Sequence, residues 1–137
     1  MKRTRIQPEL GVFPECFHPL LRSTPVYDSS CSTAARVYFL DHDGGLYLKT
    51  APKGTLEKEV TMTRYFHSKG LGAEVLAYES LDSDWLLTSR VPGEDCIDPM
   101  YLADPRRLCD TTAQLLRMLH DTDPTDCPIH RTADYIA

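Results

Sequence analysis

At 137 residues, 42% hydrophobic and 26% charged, the chain has the size and balance of one globular domain with its own core. A formal net charge of −5 argues against a nucleic-acid partner, while leaving room for an anionic ligand held by a local lysine. No apolar run approaches membrane-spanning length, and Met1-Lys2-Arg3-Thr4-Arg5 leads into no segment of signal-peptide type, so a cytoplasmic protein without membrane contact is expected.

Pro8 to Arg22 mixes apolar residues with prolines and suggests only a short helix around Glu9 to Val12. From Ser23 to Thr33 come Pro25, Val26 and Tyr27, then Asp28-Ser29-Ser30-Cys31-Ser32-Thr33, a small, polar run that reads as a loop between strands. Ala35 to Leu40 is rich in β-branched and aromatic residues and predicts a strand. Asp41-His42-Asp43-Gly44-Gly45 is a hairpin turn, because glycine tolerates the positive φ such turns need, and Leu46 to Thr50 pairs back antiparallel. Thr55 is the expected N-cap of a helix running to about Lys69, stopped by Gly70 and Gly72. Strands are expected over Ala73 to Ser80 and Trp85 to Val91, around the turn Leu81-Asp82-Ser83-Asp84. Pro92-Gly93-Glu94-Asp95 breaks the pattern and reads as a linker. Asp104-Pro105 opens a helix to His120, whose buried stripe is expected to be Leu108, Thr112, Leu115, Leu116 and Leu119. Asp123 to Pro128 is loop, and His130 to Ala137 resembles the start of another helix. The order predicts an α+β fold, an antiparallel sheet with one packed helix, divided into residues 1–91 and a remainder at 92–137. Five cysteines and five histidines are scattered singly, which fits reduced thiols and predicts no metal site.

One stretch carries chemistry. Alternation in Leu46-Tyr47-Leu48-Lys49 puts Tyr47 and Lys49 on one side of a strand. On the following helix Leu56, Glu59, Met62, Thr63 and Phe66 share a face, and a carboxylate among apolar neighbours calls for a cation. Lys49 is the candidate partner, in a buried pair. Glu57 competes with Glu59, but it lies with Val60, Thr61 and Arg64 on a more exposed-looking stripe. A plain surface salt bridge, a packing tyrosine and ordinary turn residues remain the rival readings of these positions.

Several words, in order, resemble the N-terminal half of bacterial aminoglycoside phosphotransferases, particularly the 3′-phosphotransferases, which share the protein-kinase-like fold. They are Arg5-Ile6-Gln7-Pro8-Glu9-Leu10, Arg36-Val37-Tyr38, Leu46-Tyr47-Leu48-Lys49, Glu57-Lys58-Glu59, Leu86-Leu87-Thr88-Ser89, Leu116-Arg117-Met118-Leu119-His120 and Asp126-Cys127-Pro128. The resemblance implies that residues 1–91 are the nucleotide-binding N-lobe and 92–137 the linker and first helix of an incomplete helical C-lobe. Lys49 then contacts the α- and β-phosphates and is held by Glu59, as strand lysines are in protein kinases. It further implies that Tyr47 lies against adenine, that Ser32 and Thr33 cover the phosphates, and that Thr88 backs the base pocket. Ser89 and Val91 would offer backbone carbonyl and amide groups to the base edge.

The same resemblance puts the catalytic His-Gly-Asp…Asn loop and a metal-binding aspartate beyond residue 137. His120-Asp121-Thr122-Asp123 is its nearest imitation and reads as a helix terminus, and the chain contains no asparagine. ATP is the implied nucleotide with GTP as alternative, and Mg²⁺ and an aminoglycoside belong to the complete enzyme. Other readings are a stand-alone nucleotide-binding or pseudokinase module, and an unrelated α+β domain. Self-association through the last helix would cover its apolar stripe.

Overall fold

In a computed structural model, residues 3–129 are described. Period-two alternation is clearest at the centre of the sheet, where Arg36–Leu40 (β3) and Leu46–Pro52 (β4) form the expected hairpin. Its turn needs positive φ at Asp43, Gly44 and Gly45, of 40°, 89° and 103°. At Gly45 a Cβ would lie 2.7 Å from the Phe39 ring, so only glycine fits there.

Two strands have no stated range in the expectation, Thr4–Ile6 (β1) and Val26–Asp28 (β2), the latter reaching one residue into the run read as loop. Each has only three residues, too few for periodicity to register. The antiparallel sheet is completed by Val75–Ser80 (β5) and Ser83–Ser89 (β6), in the order β1-β2-β3-β4-β6-β5. An irregularity between Val75 and Ala77 delays regular pairing of β5, and β6 stops short of Val91.

Both faces of the sheet are covered. On one, Tyr38, Leu40, Leu48, Trp85 and Leu87 pack against Phe13, Phe17 and Leu21 of the N-terminal segment. That segment holds 3₁₀ turns at Leu10–Val12 and Glu15–Phe17 and the helix His18–Ser23 (α1). The fold therefore has a second packed layer beyond the single helix expected, because prolines disguise a segment whose apolar side chains are core.

On the other face Glu57–Ser68 (α2) seats Leu56 and Val60 on Leu86 of β6. This corrects the helical face: Val60 is buried, and Glu59 stands at the edge of the contact. Thr55 is not the N-cap. Its hydroxyl donates to the Pro52 carbonyl at 2.6 Å, and no side chain of the helix's own caps it.

After β6 come a short helix, Pro99–Leu102 (α3), capped by Asp98, and Pro105–His120 (α4), capped by Asp104 as expected. The stripe expected to be buried is not: in the described part of the chain no residue of α4 is buried. Leu115, Leu116, Met118 and Leu119 are exposed. The loop after α4 returns to α2, with Lys69 and Asp126 paired at 2.8 Å and the Tyr65 hydroxyl donating to Asp123 O at 3.2 Å. The helix suggested at 130–137 lies outside the described residues. Among the described residues no helix is long and apolar enough to cross a membrane.

Leu48, 0% exposed at the sheet centre, and Leu115, 58% exposed on α4, make a contrasting pair. Leu48→Ala is expected to remove about 2–5 kcal/mol of stability in urea unfolding. Leu115→Ala should change it by less than about 0.5 kcal/mol.

Candidate functional site

Strand register decides which side chains meet. Tyr47 pairs with Thr88, Lys49 with Leu86 and Ala51 with Asp84 across β4 and β6, while Phe39 and Val37 flank Tyr47 and Lys49 from β3. Paired residues point to the same face of a sheet, so one face presents an aromatic row beside a row centred on a cation. Below Thr88, α2 overhangs this face, and between them lies a cleft of about 500 Å³. That volume is within the range of small-molecule sites.

Six of the eight expected site residues, Tyr47, Lys49, Glu59, Thr88, Ser89 and Val91, line that one cleft. Lys49 Nζ donates to both Glu59 oxygens, at 2.8 and 2.6 Å. An ammonium has three hydrogens, so one remains for a ligand. The pair is not buried as expected: the side chains are 28% and 43% exposed, because Glu59 sits on the cleft rim. Its place in the first turn of α2 suits a carboxylate, since the positive end of the helix dipole favours it.

Ser32 and Thr33 do not join them. Both are exposed, and Thr33 lines a different groove with Arg36, Thr50 and Lys53. Their loop is stapled at its base: Asp28 Oδ1 accepts from the Ser30 amide at 2.8 Å, and Ser30 Oγ accepts from the Val37 amide at 3.0 Å. Hydrogen bonds from the Ser30 amide and from its hydroxyl hold the Asp28 carboxyl below the usual range. Val91 is reached beyond the end of β6. The Ser89 amide donates to Glu74 O, and its hydroxyl accepts from Glu74 N, which ties the end of β6 to the approach of β5.

Several contributors carry no local signal in the sequence. Val37 and Leu86 give the cleft apolar walls, and Thr63 and Phe66 close it from α2. Arg3 donates to the Tyr47 hydroxyl at 2.8 Å while lying 3.6 Å over the Phe39 ring, which fixes the tyrosine from behind. Asp84, read as part of a turn, is 0% exposed. Its Oδ2 accepts from the Leu56 amide at 2.9 Å, and its Oδ1 from the Ser80 hydroxyl at 2.7 Å. Burial pushes this carboxyl up, but the Leu56 and Gly54 amides with the Ser80 and Tyr78 hydroxyls outweigh it and hold it below the usual range. Among the described residues no three His, Cys, Asp or Glu side chains converge as a metal site.

A sheet lysine gripped by a helix glutamate in a cleft at the sheet's end is an arrangement of phosphoryl-transfer domains. In agreement, the model of the phosphotransferase enzyme family matches residues 32–135, and the chain belongs to that family. The α+β sheet with α2 is consistent with the N-lobe of a kinase-like fold. Over 130 residues the chain is 45% identical to "Probable aminoglycoside 3'-phosphotransferase" of Lactococcus lactis subsp. lactis (strain IL1403), covering 94% of this chain and 49% of that protein. It is 29% identical over 143 residues to "Aminoglycoside 3'-phosphotransferase" of Staphylococcus aureus, covering 98% of this chain and 52% of that one. The chain thus spans about half the length of the curated relatives it matches.

Because the folded Asp84 carboxyl titrates below its unfolded value, its stabilisation is present above about pH 4 and is lost as pH falls through the folded value. Stability should therefore fall as pH drops below about 4. Asp84→Asn, less stable at neutral pH, should show a shallower acid limb in chemical denaturation. Asp28, Asp123 and Asp126, also held below the usual range, supply the slope that remains.

Proposed function

We propose that this chain is the nucleotide-binding portion of an aminoglycoside O-phosphotransferase, which transfers the γ-phosphate of ATP to an antibiotic hydroxyl and so confers resistance. The observation that carries the reading is the two-point Lys49–Glu59 contact inside a cleft with an aromatic wall. Glu59 points the ammonium into the cleft, and its third hydrogen serves the α- and β-phosphates. Tyr47, steadied by Arg3, offers its ring to the base, with Val37 and Leu86 excluding water around it. Thr88 backs the pocket; the Ser89 carbonyl and Val91 amide meet the base edge. Ser32 and Thr33 stay candidates for covering the phosphates only if their loop folds inward on binding, since they stand outside the cleft.

Mg²⁺ neutralises charge on the transferring phosphoryl group in such enzymes. In this reading its ligands, the catalytic aspartate and the aminoglycoside contacts belong to the rest of the enzyme. The reaction takes place in the cytoplasm, where ATP is. GTP is the alternative nucleotide, and competition between the two decides. In this chain alone, a second copy would cover the apolar stripe of α4.

A second reading, a nucleotide-binding module that works through partners, is favoured by one fact: β4, α2, β6 and the residues just after β6 supply all six cleft positions without outside help. Tight ATP binding by a folded, monomeric 137-residue chain would favour it; poor solubility without binding favours the enzyme portion. In the full-length protein, Lys49→Ala should lower phosphorylation of a kanamycin-type aminoglycoside by on the order of a hundredfold or more. Wild-type turnover in that variant would overturn the assignment.

A further inference from the structure

Helix α2 has little that fixes its register. Its buried footing in the sheet is Leu56 and Val60 on Leu86, with Ala51, Val75 and Tyr78 packed around them, and apolar contact is non-directional. A rotation or axial shift well short of one residue, which is about 100° and 1.5 Å, would leave Leu56 and Val60 seated on Leu86. It would also carry Glu59 away from Lys49. The contacts at the far end of α2, Lys69 with Asp126 and Tyr65 with Asp123, are exposed and tie it to a loop rather than to the sheet. Apart from the Lys49–Glu59 contact itself, the directional bond that ties the start of α2 to the sheet is the one from the Leu56 amide to Asp84.

That carboxylate is itself immobile. Asp84 sits in both ladders, opposite Ala51 of β4 and Ser80 of β5, and the Ser80 hydroxyl fixes Oδ1. Oδ2 is left to take the Leu56 amide, one of the N-terminal helix donors with no partner inside the helix. Glu59 follows three residues on, less than one turn away. Lys49 stands two residues before Ala51, the strand partner of Asp84. The aspartate and the lysine are therefore referenced to the same two strands, and the glutamate is referenced to the aspartate.

We propose that Asp84 is a positioning residue for the Lys49–Glu59 pair: it clamps the first turn of α2 to β6 at the height and rotation that bring Glu59 onto Lys49. Its value for nucleotide binding rests on the function proposed above, but the positioning itself does not.

Amine acylation of the 137-residue chain, read residue by residue by mass spectrometry, tests the positioning without any nucleotide. In the wild type, Lys49 should react more slowly than Lys53 and Lys58. In Asp84→Asn, Lys49 labelling should rise severalfold, to the level of Glu59→Gln, while Lys69 at the other end of α2 stays unchanged. The double variant should label no faster than Glu59→Gln alone. Unchanged Lys49 labelling in Asp84→Asn, or additive effects in the double variant, would overturn the proposal. Ser80→Ala, which frees Oδ1 but keeps the carboxylate, covers the case in which Asp84→Asn does not fold: it should raise Lys49 labelling in the same sense, and no change would overturn the proposal. ATP titration with Mg²⁺ is the second arm, with affinity expected to fall about tenfold in Asp84→Asn. Full labelling effects with no ATP binding by the full-length wild-type protein would sink the functional reading and leave the positioning role standing.

Discussion

The pairing of β4 with β6 is the constraint on which the rest of the site depends. One register sets Tyr47 opposite Thr88, Lys49 opposite Leu86 and Ala51 opposite Asp84. A slip of one residue would turn each of those side chains to the other face, putting Leu48 and Leu87 where the cleft is. The register is specified because both faces are occupied: Leu48 and Leu87 are held in one core, and Leu86 is held in the other. Packing that looks purely structural thus decides where the cation stands.

The Lys49–Glu59 contact owes little to stability. Exposed and half-exposed ion pairs contribute about 0–1 kcal/mol, less at high salt. A Lys49 side chain that only needed to be soluble would be better left free. Its cost in side-chain entropy makes sense where a fixed ammonium is required, and the surrounding wall of Val37, Tyr47 and Leu86 lowers the local dielectric in which that charge acts. The exposure of Glu59, unexpected from its helical neighbours, has a simple origin: the sheet contact is centred on Val60, and its neighbour in sequence falls at the edge.

Local patterning in the sequence was sufficient for β3, β4, α2 and α4, each long or strongly periodic, and for the turn at Gly44 and Gly45. It was insufficient for β1 and β2, whose three-residue lengths leave no period to detect. The pair Lys49 and Glu59 was legible because strand alternation and helical spacing are local. Asp84 was not, since its partner Leu56 lies 28 residues away and a turn is where an aspartate is least informative. Thr55 has the type and position of a cap, yet tertiary structure supplies the acceptor instead. The α4 stripe is apolar, as its spacing predicts, but amphipathicity says which face wants covering and not whether a cover is present.

The strand order has a consequence in time. β6 is the last in sequence of the described strands but lies inside the sheet, between β4 and β5. Until residue 89 has emerged during synthesis, β4 has an unpaired edge along Leu46–Pro52, and α2 has neither Leu86 to rest on nor Asp84 to bond. The first hairpin can form early from local contacts, whereas the cleft must wait for a long-range closure. A nascent chain paused before β6 exposes a β-edge with an apolar face, the kind of surface on which chains associate.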